Sequence, residues 1–132
     1  VECPMRAFGL DITWQLSMTP REVRAQFKQH PLLKTVLDWS EIWFEERDLL
    51  HFHDPLAALC LFEPELCTYA LGAVSVDLSS PTRAGITHFS PASKHPNAKG
   101  TNPDIRIATG VHAPLFFERF FEGFQMKSAL PA

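Results

Sequence analysis

One run of residues near the middle of the chain brings an imidazole and a carboxylate together at the expected start of an apolar helix. It is His51-Phe52-His53-Asp54-Pro55-Leu56-Ala57-Ala58-Leu59-Cys60-Leu61-Phe62. A carboxylate in this position can bind a cation while the adjacent imidazole reaches a substrate. His53 and Asp54 are therefore the first candidates for chemistry in this sequence.

The same residues also satisfy the rules for starting a helix without any further function. Aspartate is a favoured N-cap and proline is favoured at the first helical position. Asp54 followed by Pro55 thus predicts an apolar, central helix over residues 55–62. Spacing alone leaves both roles of Asp54 open and favours the capping role.

The alternating pair His51 and His53 raises a second metal hypothesis. Alternate histidines occur in zinc hydrolases, but such sites need further ligands at characteristic spacings. The histidines further along the chain, His88, His95 and His112, offer no recognisable spacing of this kind. Zinc is therefore disfavoured, and we expect His51 to pack near the start of the helix.

Length and composition indicate one α/β domain that is not built to bind nucleic acid. The 132 residues suit a single domain over residues 1–132. Twelve basic and 15 acidic residues give a net charge of -3, and no stripe of Lys or Arg could follow a phosphate backbone. No apolar stretch reaches the length needed to cross a bilayer, and the three cysteines have no C-x-x-C spacing. We therefore expect a cytoplasmic protein without membrane or nucleic-acid partners.

Capping residues, prolines and apolar periodicity predict the elements that must position these candidates. Thr19-Pro20-Arg21-Glu22 is a capping box, which predicts a helix over residues 20–29. Phenylalanines at helical spacing after Pro114 predict a helix with a core face. A further helix is expected over residues 32–50, strands over 1–12, 68–78, 83–89 and 104–111, and a loop over 90–103.

Four short segments occur in an order that resembles the calcium-dependent, inosine-uridine-preferring nucleoside hydrolases. They are Gly9-Leu10-Asp11-Ile12-Thr13 with Thr19-Pro20, His53-Asp54-Pro55-Leu56-Ala57 with Phe62-Glu63-Pro64-Glu65-Leu66, Thr82-Arg83-Ala84-Gly85-Ile86-Thr87, and Pro96-Asn97. The third departs from the family's T-R-G-x-T by an inserted alanine, and we expect it to form a structural hairpin. The resemblance covers nearly the whole chain and implies an α/β fold with an open, mostly parallel sheet flanked by helices.

The resemblance also implies an activity and a role for each candidate residue. Nucleoside hydrolases split the N-glycosidic bond of ribonucleosides into free base and ribose, a step of purine and pyrimidine salvage, with calcium as cofactor. Asp54 would be a calcium ligand, and His53 the catalytic residue that contacts the ribose or the leaving base. Trp43 would bind substrate by stacking on the nucleobase, the alternative being that it packs in the core.

One hallmark of the family, an aspartate-rich motif of the form D-x-D-x-x-x-D-D, has no counterpart in this sequence. That motif supplies most calcium ligands and the base that activates water. The aspartates here are widely scattered: Asp11, Asp38, Asp48, Asp54, Asp77 and Asp104. The sequence therefore resembles the C-terminal portion of a nucleoside hydrolase, and we expect the isolated chain to be inactive and to bind calcium weakly or not at all. The alternative is a truncated, non-catalytic interaction module, whose aromatic surface would favour a homo-oligomer.

Overall fold

The computed structural model describes residues 5–91 and 102–125, and the chain divides into two compact units. One unit, Val1–Gly9 with Cys67–Gly110, contains a four-stranded sheet, and the other, Leu10–Leu66 with Val111–Ala132, contains the helices. In chain order the elements are β1 (Met5–Ala7), α1 (Leu10–Thr13), β2 (Ser17–Met18), α2 (Pro20–Phe27), a 3₁₀ turn (Pro31–Leu33), α3 (Lys34–Trp43), β3 (Leu50–His51), α4 (His53–Leu59), a second 3₁₀ turn (Pro64–Leu66), β4 (Cys67–Val76), β5 (Thr87–Pro91), β6 (Asn102–Val111) and α5 (Ala113–Gln125).

The four-stranded sheet is mixed, with the strand order β1-β6-β4-β5. β1 pairs in parallel with β6, placing Met5 opposite Ile105, whereas β4 and β5 form an antiparallel hairpin. Ile105 and Ala108 are buried on β6. Helices and a mixed sheet confirm the α/β class predicted from the sequence.

The β4–β5 hairpin confirms two paired strands in this region: β4 matches the strand predicted over residues 68–78, but β5 begins at Thr87 rather than at residue 83. Its ladder runs from Val76 opposite Thr87 to Gly72 opposite Pro91. A Cβ on Gly72 would clash with the carbonyl oxygen of Ser90, so this position requires glycine for the strands to approach. The segment from Thr82 onward forms the connection, which agrees with its interpretation as a structural hairpin.

Asp77 organises the turn of this hairpin. Its Oδ1 accepts hydrogen bonds from the Ser79 amide at 2.9 Å and the Ser79 hydroxyl at 2.6 Å. Arg83 Nε lies 3.1 Å from Oδ2. The hydrogen bonds from the Ser79 hydroxyl and amide stabilise the ionised carboxylate and hold the pKa of Asp77 below its usual range. Gly85, at φ 92°, completes the turn in a conformation that suits glycine.

The helical unit begins with the predicted capping box. The Glu22 amide donates to Thr19 Oγ1 at 3.4 Å, and the Thr19 amide donates to Glu22 Oε2 at 2.7 Å. The two bonds give hydrogen-bond partners to backbone N–H groups that have none within the helix. Helix α2 begins at Pro20, as predicted. The helix predicted over residues 32–50 is shorter in the structure, because after Trp43 the chain turns back to pair β3 with β2.

An aromatic cluster forms the centre of this unit. Phe52 makes edge contacts with Phe27 at 6.4 Å and with Phe116 at 6.0 Å between ring centroids. Phe117 and Phe120 complete the set around Phe52, at 5.1 and 5.3 Å. Edge-to-face packing is the favoured arrangement of aromatic rings, and Phe27 and Phe116 are fully buried. The predicted core role of the phenylalanine stripe on α5 is thereby confirmed.

Two predicted elements differ from the structure. The strand expected over residues 1–12 ends at Ala7, because Leu10–Thr13 forms a short helix that buries Ile12 and Thr13. The helix expected over residues 55–62 begins earlier, at His53, and ends at Leu59. Phe62 is 82% exposed, so α4 is not the central apolar helix that the sequence predicted.

Two sequence expectations fall largely outside the described ranges. The predicted loop over residues 90–103 lies mostly there, as do Pro96 and Asn97. Within the described ranges, no helix combines the length and apolar character that crossing a membrane requires.

Candidate functional site

His53 is the first residue of α4, and a hydroxyl from a distant part of the chain fixes its ring. Its Nδ1 lies 2.7 Å from Oγ1 of Thr13, the last residue of α1. Thr13 is only 3% exposed, so this hydrogen bond is sheltered from water. When the hydroxyl donates to Nδ1, the proton of the neutral imidazole sits on Nε2, which is then a hydrogen-bond donor. Because Thr13 occupies Nδ1, Nε2 is the ring nitrogen of His53 that remains for a hydrogen bond to a ligand.

His51 lies directly beside His53. The two imidazole rings stack with their centroids 5.5 Å apart and an angle of 24° between their planes. His51 is on β3, opposite Ser17, and its Nδ1 is buried without a hydrogen-bond partner among the described residues. The structure therefore places His51 at the start of α4, where the sequence predicted that it would pack.

Phe52 separates the two histidines and explains why the helix begins where it does. Its side chain is buried in the aromatic cluster, and its amide donates to the Leu16 carbonyl at 2.9 Å. Phe52 has the non-helical backbone of an N-cap residue, φ -103° and ψ 59°, and no side-chain oxygen caps α4. Anchoring Phe52 in the core fixes both neighbours relative to one another.

Asp54 is the second residue of α4 and is exposed to solvent. The prediction that Asp54 is the N-cap is wrong, because burial of Phe52 starts the helix two residues earlier. Within residues 5–91 and 102–125, no group of three or more His, Cys, Asp or Glu side chains could hold a metal ion. Calcium takes six to eight oxygen ligands, so this part of the chain does not by itself fit a complete calcium site.

Trp43 ends α3 and is 48% exposed, which rules out a purely core role for it. Its Nε1 donates to the Leu49 carbonyl at 3.0 Å, and the Arg47 guanidinium lies 5.6 Å from the ring centroid. These contacts hold the indole against the segment that leads into β3, and none of them is with His53. His53 and Asp54 are thus adjacent at the start of α4, whereas the contacts of Trp43 are with Leu49 and Arg47.

An open, largely apolar groove of about 490 Å³ lies beside Asp54, with walls from α4 and α5. Phe62 and Phe124 are among its lining residues. Arg119 is the basic residue of the lining. Its Nε lies 3.2 Å from Oε2 of Glu63, and its Nη1 lies 2.7 Å from Oε2 of Glu122. Its charge is therefore balanced by neighbouring carboxylates.

Sequence reasoning missed two residues of this site. Thr13 was included only as part of a family-like segment, and nothing local indicated that its hydroxyl would meet a histidine. His51 was assigned to packing, without the prediction that its ring would lie on that of His53. A ring held at two points, next to an exposed carboxylate, can donate one directed hydrogen bond to a ligand while the carboxylate contributes to cation binding.

A model of the inosine-uridine preferring nucleoside hydrolase family matches residues 1–118. Comparison with functionally curated proteins gives no match.

Several solved structures share the fold. A purine-preferring ribonucleoside hydrolase from Gardnerella vaginalis is 24% identical with a TM-score of 0.71, over 89% of this chain and 38% of that one. A plant nucleoside hydrolase is 21% identical with a TM-score of 0.68, over 92% of this chain and 41% of that one. An inosine-guanosine nucleoside hydrolase is 17% identical with a TM-score of 0.72, over 93% of this chain and 39% of that one. At such identities the likeness concerns the fold, and this chain spans about two fifths of the length of those proteins.

Proposed function

This chain belongs to the inosine-uridine preferring nucleoside hydrolase family, and from that premise we propose that it contributes to hydrolysis of the N-glycosidic bond of a ribonucleoside. The products are a free base and ribose, which fits a cytoplasmic role in purine and pyrimidine salvage. The observation that carries the proposal is the 2.7 Å contact between His53 and the buried Thr13 hydroxyl, one residue before the exposed Asp54.

His53 is the catalytic residue of this proposal. As the glycosidic bond breaks, negative charge develops on the departing base, and a directed N–H donor stabilises that charge. Holding Nδ1 against Thr13 prepares Nε2 for this task before substrate arrives. The same nitrogen would contact the ribose or base of the bound ribonucleoside.

Asp54 is the calcium ligand of the proposal. One exposed carboxylate cannot replace the several oxygens that calcium requires. We therefore assign Asp54 as one ligand of a site that needs further carboxylates beyond those of the described residues. The contribution of the chain itself accordingly lies in the imidazole and its orientation, and we expect little or no activity from these 132 residues alone.

Trp43 is assigned to substrate binding. Its indole is half exposed while its Nε1 is bonded to the Leu49 carbonyl, so the ring is held in place and part of it is open to solvent. Stacking on a nucleobase uses the face of an aromatic ring and tolerates different bases.

A decisive experiment uses the longest protein that contains this chain. Release of base from inosine and uridine is measured with and without a calcium chelator, for the wild type and for His53→Ala. We expect turnover that the chelator abolishes and that His53→Ala lowers by at least about a hundredfold. His88→Ala, on the hairpin of the other unit, is the matched control and retains wild-type turnover. Absence of base release from every nucleoside tested would overturn the proposal.

A second function, that of a non-catalytic interaction module, is favoured by one observation. Helix α3 exposes Trp39 at 68% and Ile42 at 67% to solvent, an apolar surface typical of contact with another protein. Under this alternative, Trp39→Ser changes the oligomeric state measured by light scattering, and the longest protein shows no nucleosidase activity.

A further inference from the structure

The imidazole of His51 is the nearest described ring to that of His53, and its geometry suggests a task. The two centroids are 5.5 Å apart and the planes differ by 24°. We propose that His51 is a positioning residue, whose ring holds the plane of the His53 imidazole so that Nε2 points at the ribonucleoside. The inference rests on the nucleoside hydrolase function proposed above.

A single hydrogen bond is not enough to fix the His53 ring. The torsion that rotates a histidine ring about its Cβ–Cγ bond is broad, without three sharp staggered minima. The contact between Nδ1 and Thr13 fixes one ring atom at 2.7 Å, but the ring can still rock about that atom. A second ring stacked on its face removes this remaining freedom. Thr13 and His51 therefore constrain His53 in complementary ways.

His51 is itself held in place by its neighbours in the chain. On β3, His51 is paired with Ser17 of β2, and the neighbouring Leu50 is paired with Met18. The next residue, Phe52, donates its amide to Leu16 and buries its ring in the aromatic cluster. Backbone pairing on one side and core packing on the other fix the backbone of His51, and the buried Nδ1 shows that its ring is packed against the protein.

The stability of the fold does not depend on the polar atoms of the His51 ring. Nδ1 of His51 is buried and has no hydrogen-bond partner among the described residues. An unpaired buried polar atom is destabilising, so an apolar ring of similar shape would suit the fold at least as well. A flat ring, rather than the polar atoms of histidine, is what the stacking requires. This distinction separates a positioning role from a hydrogen-bonding one.

Two variants of the longest protein containing this chain test the inference. His51→Phe keeps a flat ring, whereas His51→Leu keeps an apolar side chain of comparable size without one. We expect His51→Phe to retain kcat within about threefold and His51→Leu to lower kcat on the order of tenfold to a hundredfold, the effect expected of a misplaced catalytic group. In His51→Leu, KM changes less than kcat, because His53 is misaligned rather than lost. His88→Leu is the matched control, and thermal melts establish that each variant is folded; His51→Met replaces His51→Leu if that variant is not.

Nuclear magnetic resonance of the His53 ring protons provides a readout independent of activity. A stacked ring shifts these protons upfield, so the shift persists in His51→Phe and is lost in His51→Leu. Unchanged kcat in folded His51→Leu, equal losses of kcat in both variants, or a His53 spectrum indifferent to residue 51 would each overturn the inference. If the wild type hydrolyses no nucleoside, the proposed function fails, and the spectra alone decide whether His51 positions His53.

Discussion

The hydroxyl oxygen of Thr13 lies 2.7 Å from Nδ1 of His53, although the two residues are 40 positions apart in the chain. The contact joins the last residue of α1 to the first residue of α4. Thr13 is buried, so water does not compete for its hydroxyl. The proposed catalytic imidazole is therefore oriented by a buried residue of a different helix.

Replacing Thr13 by valine tests this relationship. Thr13→Val keeps the shape of the side chain and removes the hydroxyl, which leaves His53 Nδ1 without its partner. We expect the free energy of unfolding to fall by about 1 kcal/mol and kcat to fall on the order of tenfold in the longest protein containing this chain. Urea denaturation and base release from inosine measure the two effects. Thr13→Ser restores the hydroxyl and should recover most of the lost kcat; equal activity in Thr13→Val and wild type would contradict the orienting role.

The elements that could be predicted from the sequence are those specified by neighbouring residues. The capping box at Thr19 depends on Glu22 three positions later, and the pairing of β4 with β5 on strand propensity in two neighbouring segments. Both were confirmed. The spacing of phenylalanines on α5 likewise predicted a core face, because helical periodicity is a local property.

The start of α4 and the contacts of the site could not be predicted in this way. Asp54-Pro55 is a sound local signal for a helix start, yet packing of Phe52 against Phe27 and α5 overrides it. The pairing of Thr13 with His53 depends on where two distant segments meet in the folded chain. Such contacts produce no repeating pattern of residue types from which they could be predicted.

Asp54 offers a test that separates folding from metal binding. Because Phe52 is the N-cap of α4, Asp54→Asn should change the free energy of unfolding by less than about 0.5 kcal/mol. In the longest protein, loss of the anionic oxygen should lower calcium affinity and turnover by about an order of magnitude or more. Asp38→Asn, on the exposed side of α3, is the matched control. Wild-type calcium affinity and turnover in Asp54→Asn would remove the proposed ligand role.

Calcium binding by the 132-residue chain alone is a separate prediction. Since the described residues contain no cluster of metal-binding side chains, we expect weak affinity, with a Kd on the order of millimolar or above. Isothermal titration calorimetry measures this directly. A tight site of one calcium per chain would show that the ligands are present within these residues after all.

Thr19 provides a test of the fold that leaves the site untouched. Thr19→Ala removes the oxygen that accepts from the Glu22 amide, and we expect a loss of about 1 kcal/mol in the free energy of unfolding. Thr35→Ala, at an exposed position within α3, removes a threonine without removing a cap and should not destabilise the fold. Denaturant midpoints compare the two variants. A midpoint in Thr19→Ala equal to that of wild type would show that the cap contributes nothing to α2.

Asp77 makes the stability of the β4–β5 hairpin depend on acid. Hydrogen bonds from the Ser79 hydroxyl and amide lower the pKa of this carboxyl in the folded state, so folding favours the ionised form. The stabilisation is therefore fully present above the unfolded pKa of about 4 and is lost as the pH falls through the lower, folded value. Asp77→Asn removes the titrating group, so its destabilisation relative to wild type should be largest at neutral pH and shrink below about pH 4. Backbone amide exchange at Gly85, whose N–H donates to the Asp77 carbonyl at 3.0 Å, reports opening of this turn. A difference between the two proteins that is constant from neutral to acidic pH would show that the Asp77 carboxylate does not stabilise the turn through its charge.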